Sequence, residues 1–483
     1  MLLGLLLVLC IVRLWLMPLG ESFWTDEAGT VFVVHHGTED PTLAVAPQVA
    51  ESIYFALPWI AEKLGGGSEL VYRLPSTCAM LAALFVIFRL ARRLMPPQAA
   101  WFVLFACLAM RGFDIQADDA RPYALGTLVA VSTVWFLVRW LDAGRWRDAL
   151  LFVAGGALLW RVQLIYWPFY LVLALYAGAR IVMHHSAVRW PWPTAAFLAL
   201  ALFVWPAVPE ARALAMSTQQ HVIVAMPTMR SLLSAWAPAV LIALSVLLIA
   251  WPVRWIRLRK GESAAPSSWV LMAAWWLIPP LALFSFSKLT GQSVFASRYY
   301  SLMFPGAALA GTALAARYID ARRWTVLGAI LGGGVLIFLG QWDRPAPRDF
   351  NYDWRAAAQA EKQDAQAATP VICVSPFVEA QSPAWHPNYP SSSFLYAPFV
   401  VYPVQGRVYT FPFDISQAAK TYAYSLTGTT LGPAGEFLLY GYRPAEERWQ
   451  QWFQKRLAPR GWRSRSLGNF GEVNLVEFKA RHS

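Results

Sequence analysis

The chain has 483 residues, 57% of them hydrophobic and 14% charged, with a mean hydropathy of +0.42. A soluble domain carries about 25% charged residues, so an ordinary soluble protein is excluded and an integral membrane protein is implied. The net charge of +12 is spread over short loops between apolar segments, which argues against nucleic acid as a partner.

The first apolar segment, Leu2 to Leu19, is 18 residues long with one charge, Arg13, just enough to span a bilayer. It has neither a basic leader nor a small-residue cleavage site, so a permanent helix is expected rather than a cleaved signal. ESFWTDEAG follows at 21–29 and sets Asp26 and Glu27 at the helix mouth beside Phe23 and Trp24, a candidate reaction centre. Farther along this long connection, ESIYFALPWIAEKLG at 51–65 places apolar residues at helical spacing among polar ones. That pattern predicts a helix lying in the interface plane, stopped by Gly65, Gly66 and Gly67.

Ten more apolar stretches follow, near 74–95, 98–112, 122–140, 148–162, 164–183, 192–209, 230–252, 268–287, 299–317 and 324–341. With the first they predict about 11 transmembrane helices. Arg161 and Gln163 interrupt the pair at 148–183, where a tight hairpin is predicted. Lys and Arg in the short loops set the orientation. With the N-terminus inside, the inner loops hold fifteen, among them Arg254, Arg257, Arg259 and Lys260, against nine in the longer outer connections. The tail then lies outside, together with ESFWTDEAG.

In the tail, 342–483, strand-like PVICVSP and EFLLYGYR alternate with helical DWRAAAQAEKQDAQAA and PAEERWQQWFQKRL. Trp449, Phe453 and Leu457 recur every four residues as one buried stripe. About 140 residues can bury a core of their own. The expected architecture is a transmembrane domain over 1–341, whose outer loop 20–73 carries the interface helix, and a soluble α/β domain over 342–483. The four cysteines, Cys10, Cys78, Cys107 and Cys373, suggest neither disulfides nor a metal spacing.

Four polar clusters fall on the outer side. They are Asp26-Glu27; DIQADDARPYAL, with Asp114, Asp118, Asp119 and Arg121; Arg161 with Gln163; and SKLTGQSVFASRYYSLMFP, with Lys288 and Arg298. Singly, each has a structural reading. Acids before Pro122 suit a helix N-terminus, and Asp26-Glu27 can start a loop helix. Arg298-Tyr299-Tyr300 suits an interfacial anchor, and Lys288 can snorkel.

Together, carboxylates and cations at one membrane depth suit a reaction on a phosphate-bearing lipid. A carboxylate takes the proton from an acceptor hydroxyl, while Arg and Lys hold the phosphate and stabilise its charge as it leaves. No cofactor is implied outright. The one candidate is a divalent metal ion, raised by His35 and His36 near the acidic pair, and no ligand spacing supports it.

At these residues the chain resembles a known family. It has an acidic pair after the first membrane helix, an acid-x-Arg-Pro-Tyr-Ala-Leu stretch, and Arg-Tyr followed by a proline near the last helices. These are similar to the protein O-mannosyltransferase and lipid A aminoarabinose transferase group, GT-C-fold glycosyltransferases that use polyprenyl-phosphate sugars. The likeness covers about residues 1–340 in topology, and NYDWRAAAQA resembles the start of the outer domain in bacterial members. It implies Asp26 as general base with Glu27 beside it, and Arg121 near the donor phosphate. Asp119 stands as the acid before Arg-Pro-Tyr, supported by Asp118 and Tyr123, and Arg298 with Tyr299 and Pro305 forms the late motif. Many members carry a histidine at the hairpin where this chain has RVQLIYWP. Gln163 cannot carry a proton at neutral pH, which leaves Arg161 and Gln163 as supporting polar groups.

The expected protein is thus a polytopic α-helical membrane protein, GT-C-like, with a C-terminal soluble α/β domain. Its expected activity is inverting transfer of a sugar from a polyprenyl-phosphate donor to a glycan, lipid or protein acceptor on the periplasmic face of a bacterial inner membrane. The N-terminus would be cytoplasmic and the tail periplasmic, with Asp26 activating the acceptor and Arg121, Arg298 and Lys288 holding the leaving phosphate. The main alternative is a flippase or transporter of a lipid-linked sugar, which favours midplane sites and repeats that this chain lacks. A scaffold whose tail binds partners is the other.

Overall fold

The structure, a computed structural model, describes residues 2–46, 52–217, 224–252, 255, 265–339, 352–381 and 384–481. Outside these fall Arg254, Arg257, Arg259 and Lys260 of the inner-loop set, and Glu51 at the head of the expected interface helix. Residues 340–341 of the last apolar segment and 342–351 of the tail also fall outside. The chain divides into two compact units. Met1–Leu19, Ser52–Tyr54 and Arg73–Ala346 make one; Gly20–Glu51, Phe55–Tyr72 and Pro347–Ser483 make the other. Much of the outer loop therefore folds with the tail rather than with the membrane segments.

Each of the eleven apolar segments falls on a helix. Among the described residues, seven are long and apolar enough to cross a membrane: Leu2–Gly20, Glu69–Leu94, Tyr123–Ala143, Leu164–Val182, Met229–Ala250, Pro266–Thr290 and Ala321–Phe338. Pro97–Leu108, Pro191–Val204 and Met303–Ala316 are apolar but shorter, and Trp146–Val162 keeps Arg147, Asp148 and Arg161. The 192–209 segment stops at Val204 and restarts at Ala207. Pro206 has no N–H, and its ring clashes with the carbonyl four residues back. The segment expected from 299 begins at Met303 instead, which leaves Arg298, Tyr299 and Tyr300 in turns ahead of the helix.

Trp15, Trp275 and Trp324 are fully buried in the core of the helical unit. Arg13, the one charge of the first segment, is buried there and donates to the Leu339 carbonyl at 3.0 Å, which offsets part of its desolvation. At one end of the unit, Asp142 accepts from Arg93 at 2.7 Å and from Arg180 at 2.5 Å. His185 Nδ1 lies 3.1 Å from Ser267 Oγ. These contacts gather the C-termini of the Glu69–Leu94, Tyr123–Ala143 and Pro168–Val182 helices with the N-terminus of Pro266–Thr290. The opposite termini, near residues 123, 168 and 290, accordingly share the other end.

The second unit is built on a five-stranded sheet: β1 (Pro370–Val374), β2 (Arg407–Phe411), β3 (Glu436–Tyr442), β4 (Trp462–Ser466) and β5 (Val473–Ala480). The order is β2-β1-β3-β5-β4, with β1 parallel to both β2 and β3, and β5 antiparallel to β3 and β4. All five residues of β1 are buried, as for a central parallel strand. The predicted stripe of Trp449, Phe453 and Leu457 lies buried on the Arg443–Leu457 helix, which packs on β3, β4 and β5. The expected interface helix is a short turn at Ile53–Phe55 followed by Ala56–Gly65, ended by Gly66 at φ +85°.

Candidate active site

Three of the four polar clusters meet at the shared end of the helical unit. Gln116 holds the DIQADDARPYAL turn by accepting from Thr127 Oγ1 and donating to the Gly112 carbonyl, each at 2.7 Å. Thr77 Oγ1 donates to Ala117 O at 2.7 Å. Pro122, not an aspartate, takes the N-cap position of the Tyr123–Ala143 helix. Asp114 is buried and accepts from Trp15 Nε1 at 2.7 Å, a structural bond between helices. Asp118, four residues on, is also buried, while Asp119 and Arg121 are partly exposed.

Close packing joins this turn to the other two clusters. A Cβ at Gly112 would lie 2.3 Å from the Phe304 ring, and one at Gly126 would lie 2.3 Å from Tyr166. Gln163 ends the Trp146–Val162 helix in an extended conformation, forming the predicted hairpin, and Ser52 Oγ donates to the Val162 carbonyl at 2.7 Å. Ile165 of the hairpin packs with Tyr299 and Tyr300 against Leu283, Val294 and Phe295. Arg298, partly exposed, stands 5.2 Å from the Tyr299 ring centroid. Arg161 is exposed over Trp160 at 4.0 Å, and Lys288 is exposed 5.9 Å from Phe284. Cations resting on rings in this way suit an interface.

Asp26 and Glu27 belong to the second unit, in the first turn of a helix, Thr25–His36, that the sequence only hinted at. The two acids differ. Glu27 is fully buried and folds back to accept from Trp24 N–H at 3.2 Å, capping its own helix. Asp26 is partly exposed. The tail holds this segment firmly. Tyr402 Oη accepts from Phe23 N–H at 2.9 Å and donates to Glu69 at 2.8 Å. Arg355 bonds Glu69 at 3.0 Å, the Gly20 carbonyl at 2.9 Å and, through its backbone N–H, Ser22 Oγ at 3.2 Å. Gly29 packs on Phe394, where a Cβ would lie 3.2 Å from the ring.

Tyr352 lies near the acid pair, its ring 6.4 Å from Trp24 and 5.5 Å from Tyr442. Burial, then the neighbouring Tyr442 phenol, then the Asp26 and Glu472 carboxylates push the Tyr352 phenol up. Sequence reasoning missed Tyr352, Arg355, Tyr402 and Glu69 as partners of this loop. Only NYDWRAAAQA carried a signal, through its likeness to known outer domains. His35 bonds Glu62 at 2.8 Å, and His36 stacks on Phe32 with ring centroids 4.1 Å apart. Among the described residues no three His, Cys, Asp or Glu side chains form a metal-binding group.

Residues 53–207 match the family model described as dolichyl-phosphate-mannose-protein mannosyltransferase. The matched stretch contains DDARPYAL and the 161–166 hairpin. None of the curated proteins matches the chain by sequence. Among solved structures, ArnT from Cupriavidus metallidurans bound to undecaprenyl phosphate is 11% identical with a TM-score of 0.54, covering 98% of this chain and 97% of that one. The same enzyme in the apo state gives 10% identity and a TM-score of 0.45 over the same shares. The bound-state likeness shows that the chain shares the GT-C fold.

Proposed function

We propose that this membrane glycosyltransferase of the GT-C fold transfers a sugar, with inversion, from a polyprenyl-phosphate-linked donor to an acceptor hydroxyl on the periplasmic face of a bacterial inner membrane. The observation that carries the reading is the packing together of the segments that carry Arg121, Gln163 and Arg298, through Gly112 on Phe304, Gly126 on Tyr166 and Ile165 beside Tyr299. The undecaprenyl phosphate in the fold relative supports a lipid phosphate as the group they meet.

Arg121 and Arg298 pair with the donor phosphate, since guanidinium groups bind phosphate oxygens two at a time. They stabilise the charge that grows as the sugar departs. Lys288, exposed, draws the anionic headgroup toward the site. Asp26 takes the proton of the acceptor hydroxyl as its oxygen attacks the anomeric carbon. The bond from that carbon to the phosphate oxygen breaks on the opposite side, and polyprenyl phosphate leaves. Asp118 and Asp119 orient the turn that carries Arg121, and Arg161 anchors the hairpin at the interface. Gln163 serves as a hydrogen-bonding group only.

The test is Asp26→Asn in membranes supplied with polyprenyl-phosphate sugar. Transfer should fall at least about 100-fold, the contribution of a positioned base. Near-normal transfer would reject Asp26 as the base. Lipid movement with no new glycosidic bond in the unaltered protein would favour the flippase instead.

A further inference from the structure

The parallel half of the tail sheet ends in a place suited to bind a ligand. From β1 the chain moves to β2 on one side, then crosses to β3 on the other, so β1 is the topological switch point. In open α/β sheets the crevice beyond the carboxyl ends of such strands is the usual binding position. Here β2 runs into Phe413 and β3 ends at Tyr442. These two rings stack, with centroids 6.5 Å apart and planes at 25°. Tyr442 meets Tyr352 at 5.5 Å, and Tyr352 meets Trp24 at 6.4 Å. The aromatic strip thus runs from the carboxyl edge of the sheet to a point two residues from Asp26, within one compact unit.

The strip is bordered by polar groups. Arg448 stands 4.9 Å over the Phe413 ring, donates to the Phe413 carbonyl at 2.7 Å and pairs with exposed Asp414 at 2.9 Å. Arg443 reaches Asn469 at 3.1 Å and Asn474 at 3.3 Å. Of the four rings, Tyr352 and Tyr442 are partly exposed, while Trp24 and Phe413 are buried. Ring faces edged by amides, carboxylates and guanidinium groups match one ligand chemistry closely. A pyranose presents C–H patches to aromatic faces and hydroxyls to polar groups at the edge. A peptide acceptor would instead pair with an edge strand, β2 or β4, whereas Tyr442 ends the inner strand β3.

We infer that the acceptor of this enzyme is a carbohydrate, and that the tail binds it along the two partly exposed rings, Tyr442 and Tyr352, with Arg448 at the far end, delivering one hydroxyl to Asp26. The assignment rests on the proposed transferase reading. It gives the tail its role: substrate capture.

The test uses full-length protein in nanodiscs, in the Asp26→Asn background so that nothing turns over. It is titrated with envelope oligosaccharide released by mild acid, and contact is read by saturation-transfer NMR. Binding should weaken about tenfold in Tyr442→Ala, the loss of one good stacking contact, and recover in Tyr442→Phe. Arg448→Gln, at the surface, should weaken it by a smaller factor without lowering the melting temperature. Equal binding by Tyr442→Ala and its parent would overturn the assignment, as would capture of a Ser/Thr-rich peptide with no affinity for the oligosaccharide. Normal transfer by Asp26→Asn, with oligosaccharide binding still lost in Tyr442→Ala, would sink the proposed base and leave the glycan site standing.

Discussion

At the residue scale, the two acids of ESFWTDEAG separate by what each already holds. Glu27 occupies the third position of its helix and accepts from the Trp24 N–H, the bond that closes the helix start. Glu27→Gln keeps an oxygen for that bond. It is expected to retain transfer within about tenfold of normal, against the loss of about 100-fold or more for Asp26→Asn. Glu27→Ala loses the bond and should cost about 1 kcal/mol of stability. Transfer kinetics beside thermal melts decide this: if Glu27→Gln is the dead variant, the roles are exchanged. A second acid, Glu446, has a different task. It is fully buried, and burial raises it to about 7, opposed by Asn474, which donates to it at 2.9 Å. Its folded pKa thus lies above the unfolded value, so the folded tail binds the extra proton. Stability is fully present below the unfolded pKa and is lost as pH rises from about 4.5 to about 7. Glu446→Gln should flatten that slope and raise the melting temperature at pH 8, by up to about 3 kcal/mol of stability. An unchanged pH profile would show that Glu446 titrates normally.

At the scale of elements, the active end depends on places where helices approach more closely than any side chain permits. Gly126 lies inside the Tyr123–Ala143 helix, where alanine would ordinarily improve helix propensity by about 1 kcal/mol. Here its Cβ would meet the fully buried Tyr166 ring at 2.3 Å. Gly126→Ala should therefore cost about 1–3 kcal/mol through overpacking. It should also weaken donor binding, because displacing Tyr166 moves the hairpin that packs with Tyr299. Gly333→Ala, with nothing within 4 Å of its Cβ, is the control and should be neutral or stabilising. Equal melting temperatures and equal donor KM for the two variants would contradict this account. The helices themselves were legible, because a bilayer demands long apolar runs whatever their partners. The Arg443–Leu457 stripe was legible because its period is local. The Thr25–His36 helix was not, since its start is made by Glu27 turning back on Trp24, and its packing comes from Phe394, more than 300 residues away. The pairing of Arg355 with Glu69, and of Tyr402 with Phe23, left no trace in any window of sequence for the same reason.

At the scale of the whole molecule, the orientation in the membrane decides which donor is available. From the Lys and Arg counts, the loop and tail are expected outside. The helix ends tied by Arg93, Asp142 and Arg180 carry cations of the loops expected inside. A cysteine probe tests the two sides directly in a Cys78→Ala background, which removes the one exposed native thiol among the described residues. Glu39 and Ala187 are both exposed, the first in the loop that carries Asp26, the second next to the Asp142 cluster. Glu39→Cys should react with a membrane-impermeant maleimide in spheroplasts, and Ala187→Cys only after lysis. The reverse pattern would put Asp26 in the cytoplasm, where nucleotide sugars are plentiful and a lipid-linked donor is not required. The cationic end of the helical unit would then need another explanation than a polyprenyl phosphate. With the expected pattern, the acceptor site and the donor site share a compartment without nucleotide sugars. A lipid phosphate is then the leaving group that Arg121 and Arg298 are suited to hold.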